Sequence, residues 1–457
     1  MSPPTKASLR PDPNQYRITS KSTWAGKWRI AAGVGVFGLG IAAYGWKVDP
    51  TRFAFSYLFG YFVALSLALG SMFFVMVQYA TKSGWSVTVR RVSELLMRPM
   101  PIFAVLAIPL VLTIHLLFPW LGAKHHEEAE AGHDTSAEHS SSDSPLAEER
   151  GYADREPAAM RDMPLASPKR MERAEEREET GIIEHKHFLL NKQFFLARLI
   201  LYLVVWSWIV HRYFKWSTDQ DQSGSLENTT AGQRFAPAGI ILFAFTLTFF
   251  AFDWLLSLDG TWYSTIFGVY IFAQCALFQF ACLILMTLAL RSSGLLGKAV
   301  NVEHFHDLGK FLFGFIVFWT YIAFAQFFLT WYSNIPDEVA WYHKRWGDNG
   351  GTWQTASIAL VLFNFFVPFW FLMSRNIKRR LHLLGIGAGC IVVMHVVEVY
   401  WVVMPNFGPM EPSIVDLGCL LGIFGVYMAF VLHGMEEYSL VAVGDPRLPR
   451  ALEFENA

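Results

Sequence analysis

The sequence predicts an all-α membrane protein: about ten transmembrane helices, arranged as two four-helix bundles plus flanking helices. Three observations predict it. Ten apolar-rich runs of at least 17 residues recur along the chain, and about 20 apolar residues suffice to cross a bilayer core. Only 16% of the 457 residues are charged and 53% are hydrophobic, against about 25% charged in an average soluble chain. Finally, carboxylates recur at one depth in two runs that stand four helices apart.

The runs lie at 30–46, 53–80, 100–121, 194–214, 236–258, 263–290, 308–332, 353–374, 381–404 and 412–434. Residues 1–29 form a polar tail with Lys6, Arg10, Arg17, Lys21, Lys27 and Arg29. No short apolar region sits near Met1, so the first run reads as a retained span. Helices 1–3 fall within 30–121. Between the second and third, residues 82–98, KSGWSVTVRRVSELLMR, are basic and amphipathic, a pattern suited to lying on the inner membrane surface. Residues 122–193 are charged and poor in large apolar side chains, which predicts a largely irregular outer loop with one short helix near 168–180. Its His125, His126, His133 and His139 fit no standard zinc spacing. Helices 4–10 occupy 194–434, and 435–457 form a second tail.

Orientation follows from Lys and Arg near the helix ends. With the N-terminus inside, the inner short segments hold 22 basic residues and the outer ones four, Lys47, Arg52, Lys344 and Arg345. Both tails are therefore expected in the cytoplasm, with 122–193 outside. The net charge of −1 gives no footprint for nucleic acid.

Several ionisable residues fall inside the runs. Asp253 is near the outer end of the fifth, about 8 Å below it at 1.5 Å per residue. His115 and Arg198 lie near the outer ends of the third and fourth. His395 and Glu398, three apart and so on one face, are in the outer half of the ninth, and Asp416 opens the tenth. Gln274, Gln279 and Gln326 add neutral polar groups. A charge at the bilayer centre costs about 2.5–3.5 kcal/mol, and such residues mark proton paths or internal pairs. Asp253 is read either as a partner of Arg198 or His115 or as a proton-handling group. Asp253 and Glu398 are each the eighteenth residue of their run, which predicts parallel repeats of helices 2–5 and 6–9.

Redox centres are not expected in the chain. The four cysteines, Cys275, Cys282, Cys390 and Cys419, form no CxxC pair, so a disulfide framework, an iron–sulfur cluster and covalent c-type haem are unsupported. His382 and His395 are 13 apart on one run, but no second run carries a matching pair. His304 and His306 read as interfacial, and no metal site is expected.

Two long stretches carry a resemblance. FAFDWLLSLDGTWYSTIFGVYIFAQC, residues 250–275, and HDLGKFLFGFIVFWTYIAFAQFFLTWYSNIPDEVAWYHKRWG, residues 306–347, resemble the NrfD-like membrane subunits of alternative complex III, and the chain is most similar to the smaller, F-type one. The resemblance covers most of 25–440. It implies two four-helix bundles without metal centres, in a respiratory complex that oxidises ubiquinol or menaquinol. It also implies partners: a C-type NrfD-like subunit, an iron–sulfur subunit, c-type haem subunits and small membrane subunits, with lipid around them.

The resulting expectation is a scaffold and proton-conducting subunit. Asp253, His115, Glu398, His395 and Arg198 are the candidates for the path, and Lys310, His433, Glu436 and Glu437 for an inner mouth. Two alternatives stand beside it. One is a quinol-binding subunit in which Asp253 or His115 accepts the quinol proton. The other is a secondary transporter, which would call for helices broken at corresponding positions of the two repeats.

Overall fold

A computed structural model describes residues 15–118, 120, 191–346 and 352–455. These residues form helices joined by turns, with no strand among them. Ten helices are long and apolar enough to cross a membrane. The chain is a multi-pass, all-α membrane protein. The expected loop at 122–193, with its histidines and its short helix, lies almost entirely outside the described residues.

The spans are α1 (Lys27–Val48), α2 (Pro50–Ala80), a third beginning at α3 (Val87–Met97), α4 (Lys192–Ser223), α5 (Leu226–Ala251), α6 (Phe267–Ser292), α7 (Val302–Ser333), α8 (Thr352–Leu360), α9 (Leu381–Val403) and α10 (Ile414–Glu437). α5 runs on into a π-turn at Phe252–Leu256. α8 continues through a π-turn at Val361–Phe366 to Met373.

The third span departs from expectation. It starts at Val87 and not near 100, and it is broken into Ile102–Leu106, Ile108–Leu112 and Ile114–Leu117. Pro99 and Pro101 explain the interruption after Met97 and Pro109 the one at Ala107, because proline has no N–H for the helical ladder; a further break falls at Thr113. α7, its counterpart four spans on, is unbroken. α3 does not lie on a membrane surface. All eleven of its residues are buried. The amphipathic pattern folds as a helix, but its polar face meets protein carboxylates instead of water and lipid headgroups.

Two four-helix bundles result. In the first, α2 packs on the third span, the third span on α4, α4 on α5, and α5 back on α2. In the second, α6 meets α7, α7 the Val367–Met373 end of the eighth span, that span α9, and α9 closes on α6. The bundles join along α2 and α6, with α5 and α9 adding contacts. α2 is buried along nearly its whole length, because it serves both bundles and the flanking pair α1 and α10.

That flanking pair meets through glycines. A Cβ on Gly38 would lie 2.3 Å from the backbone nitrogen of Gly422, and one on Gly425 2.6 Å from that of Gly35. Small residues let membrane helices approach closely where no hydrophobic drive separates protein from lipid. Gly38→Leu should therefore push α1 away from α10 and lower stability by about 1–3 kcal/mol. A drop in the thermal midpoint of the detergent-solubilised protein would register it.

Both ends of the described chain lie on one side, called here the terminal face. The Gly26 N–H donates to Glu436 Oε1 at 2.6 Å, and the Leu440 N–H to the Tyr16 carbonyl at 2.9 Å. The second tail is a packed strap. Leu440, Val441, Ala442, Leu448 and Ala451 are buried. Its Asp445 bonds to Arg90 of the first bundle, and its Phe454 carbonyl accepts from Asn301 at the start of α7 at 2.7 Å.

Candidate functional site

Each bundle carries a buried carboxylate within a span near the face opposite the termini, Asp253 and Glu398, and the two are paired differently. Asp253 sits in the π-turn that ends the fifth span, so its side chain turns toward α4. Arg198 of α4 grips it through two parallel bonds, Nε to Oδ2 and Nη2 to Oδ1, both 2.8 Å. Tyr202, one turn along on the same face, donates to Oδ2 at 2.7 Å. The Arg198 guanidinium also lies 4.5 Å from the centre of the Phe194 ring. A bidentate fork is the strongest arrangement an arginine makes with a carboxylate, and it neutralises Asp253 in place. His115 is exposed, and no hydrogen bond or ion pair joins it to Asp253. Of the two partners expected for Asp253, Arg198 is found and His115 is not: beyond the break at Thr113, His115 lies on the exposed side of its short helix.

Glu398 on α9 is 1% exposed. Its Oε1 accepts from the Tyr270 hydroxyl at 2.5 Å and from the Trp319 indole N–H at 2.6 Å. Asn364, presented by the π-turn of the eighth span, reaches Oε2 at 3.5 Å, too long to be strong. Gln274 lies against the carboxyl. Among the described residues no cation pairs with Glu398. Three atoms around it, Gln274 Oε1 and Nε2 and Asn364 Oδ1, are buried without a hydrogen bond of normal geometry. Buried polar atoms of this kind usually hold ordered water. One turn toward the terminal face, His395 stacks on Phe278 at 3.9 Å between ring centres, and its Nε2 is 2.8 Å from Ser66 Oγ of α2.

The contrast decides the chemistry. A buried charge must be paired, coordinate an ion, or be neutralised by a proton. Asp253 takes the first course. Among the described residues Glu398 has neutral donors alone, so no cation balances its charge. Above it, Arg345 is 1% exposed and donates to the carbonyls of Trp401 and Val402 at the end of α9, at 3.1 and 2.8 Å. Its guanidinium lies over Trp341 at 3.4 Å. Burial pushes Arg345 down to about 9, with Asp259 pulling the other way, so it stays charged at neutral pH and caps the negative end of the helix that carries Glu398.

The remaining expected candidates do not form one mouth. Lys310 pairs with Asp307 beside a 690 Å³ groove lined by Phe73, Trp85, Phe272, Phe311 and Phe315. His433, Glu436 and Glu437 are elsewhere, at the end of α10. There His433 pairs with Glu437 at 3.2 Å, Glu437 with Arg98 at 2.8 Å, and Glu436 with Gly26. A helix end fixes depth but not azimuth, which is why residues at similar depth read from sequence as neighbours. Asp416, another residue at depth, caps α10 and takes Ser56 at 2.5 Å and Arg52 at 3.0 Å.

Sequence reasoning missed the charge cluster on the terminal side of the first bundle. Arg90 pairs with Glu94 at 2.9 Å and with Asp445 at 3.1 Å, and Arg91 with Glu94 at 2.9 Å and Asp221 at 2.7 Å. The signal was present in RRVSE, which puts both arginines within one turn of the glutamate. Burial raises the Asp445 carboxyl, but the guanidiniums of Arg447 and Arg90 outweigh it and hold the group at about 2. Because the folded value is below the ordinary 3.8, the pairing stabilises above that value and is lost as pH falls toward 2, a contribution of ~2 kcal/mol. Asp445→Asn should lower the thermal midpoint at neutral pH and flatten its fall over that acid range.

Among the described residues no group of three or more His, Cys, Asp and Glu side chains is placed to hold a metal ion. No protein-family model matches the chain, and no curated protein matches it.

Proposed function

We propose that the chain is a scaffold and proton-conducting subunit of a respiratory quinol-oxidising complex, of the NrfD-like kind, with Glu398 as its proton-exchanging group. The observation that supports this reading is the unequal treatment of two carboxylates at matched positions. Asp253 is clamped by Arg198 and Tyr202, whereas Glu398 is buried among Tyr270, Trp319, Asn364 and Gln274 with no cation among the described residues. The two stretches, 250–275 and 306–347, that resemble the family contain Asp253, Tyr270, Gln274 and Trp319. Its electron carriers would then belong to partners: a C-type membrane subunit, an iron–sulfur subunit and c-type haem subunits. The complex would sit in the bacterial inner membrane with the terminal face toward the cytoplasm.

The test is the assembly itself. The chain, tagged and extracted gently from its own membranes, should come out with c-type haem absorbance and quinol-oxidising activity. A chain that purifies alone, without redox absorbance and without loss of partners on the way, would remove the complex from the reading and favour a transporter.

A further inference from the structure

The polar side chains buried between the two bundles form a line, and its members belong to four different spans. Next to Glu398 is His395, whose Nε2 meets Ser66 Oγ of α2. Further toward the terminal face, Ser71 of α2 donates to Gln279 Oε1 of α6 at 2.6 Å, and Gln279 Nε2 donates to Ser93 Oγ of α3 at 2.9 Å. Ser93 adjoins Glu94, the centre of the Arg90–Arg91 cluster, which reaches the strap through Asp445. Ser66, Ser71, Ser93, Gln279, His395 and Glu398 are all buried. Ser66 and Ser71 also reach carbonyls of their own helix, Val63 at 2.8 Å and Leu67 at 2.7 Å, and each hydroxyl must turn from that bond to pass a proton along the seam.

We infer that Glu398 exchanges its proton with the terminal face along this seam, through His395, Ser66, Ser71 and Ser93, with Gln279 as the positioning residue. The inference rests on the reading of Glu398 as the proton-exchanging group. Each hydroxyl accepts a proton on a lone pair and releases its own, so no charge is left behind. The imidazole gains a proton at one nitrogen and loses one from the other. Gln279 carries no proton: its oxygen holds the Ser71 hydroxyl and its nitrogen the Ser93 hydroxyl on opposite sides of the amide, so water must bridge Ser71 to Ser93, as it must bridge Glu398 to His395 and Ser93 to the Glu94 cluster. Between Ser66 and Ser71 the line spans five residues of α2, about 7.5 Å of rise. There Gly70 packs so close to α6 that a Cβ would lie 2.3 Å from the Cys275 carbonyl oxygen. Water must enter this step for a proton to cross. The seam is accordingly a gated path, opened by parting α2 from α6, and not a standing channel.

The test is proton movement by liposomes containing the full chain in its native assembly during quinol oxidation, with an added electron acceptor, with potassium and valinomycin present to collapse the membrane potential, and with a pH dye as the readout. Ser66→Ala and Gln279→Leu should each slow proton movement at least about tenfold, and Ser66→Thr, which keeps the hydroxyl, should restore it. Glu398→Gln should abolish it. If Ser66→Ala and Gln279→Leu conduct at the wild-type rate while Glu398→Gln does not, the seam is wrong and the role of Glu398 survives. If Glu398→Gln conducts as the wild type does, or the wild type is no faster than empty vesicles, both fall.

Discussion

Arg198→Ala should cost the fold about 3–5 kcal/mol, because it leaves Asp253 buried and unpaired. Asp253→Asn should do comparable damage from the other side, leaving the guanidinium without its carboxylate and the Tyr202 hydroxyl with a weaker acceptor. In a membrane assembly a loss of this size appears as low yield or missing subunits. The test that separates a lock from a proton carrier is the combined change Arg198→Met, Asp253→Leu and Tyr202→Phe. It removes the described ion pair and its tyrosine together, and replacing a whole buried ion pair by apolar groups of similar volume is often neutral. Recovery of yield and thermal midpoint toward the wild type is expected. If the single variants assemble normally and lose only proton transfer, Asp253 is a carrier after all.

Glu398→Gln should have the opposite profile. The glutamine oxygen can still accept from Tyr270 and Trp319, so the bundle should assemble with a nearly unchanged thermal midpoint. Proton transfer through the subunit should fall by about a hundredfold or more, the scale on which a positioned acid or base contributes. Glu398→Leu is the contrasting variant. It strands the Tyr270 hydroxyl and the Trp319 indole N–H, each costing about 1–3 kcal/mol. Yield and midpoint should drop there in addition to the loss of transfer. Turnover and proton movement in liposomes, measured beside complex yield, distinguish the two variants.

Much of the architecture was legible because the bilayer imposes it. Spanning helices need long apolar runs, and the recurrence of a carboxylate at one depth in the fifth and ninth spans pointed to the two bundles. Arg198 was legible as a partner of Asp253, but so was His115, since hydropathy gives depth and says nothing about which way a side chain turns. The break at Thr113 decides that question by leaving His115 exposed on its short helix. The surroundings of Glu398 were only half legible. His395 is its neighbour by helical spacing, whereas Tyr270, Trp319 and Asn364 come from three other spans and are set by how those helices pack. α3 shows the same limit from another side. Its amphipathic pattern is the same whether the polar face meets water or a buried carboxylate, and the strap that supplies Asp445 is more than three hundred residues away in sequence.

The division of labour between the two carboxylates is tested most directly by infrared spectroscopy of the purified protein across a pH titration in H2O and D2O. The comparison is among the wild type, Glu398→Gln and the combined Arg198, Asp253 and Tyr202 variant. A protonated buried carboxyl has its own carbonyl band, which shifts on deuteration. The wild type and the combined variant should both show a titrating buried band, and Glu398→Gln should lack it. A titrating band that persists in Glu398→Gln and disappears in the combined variant would make Asp253 the exchanging group and Glu398 the bystander.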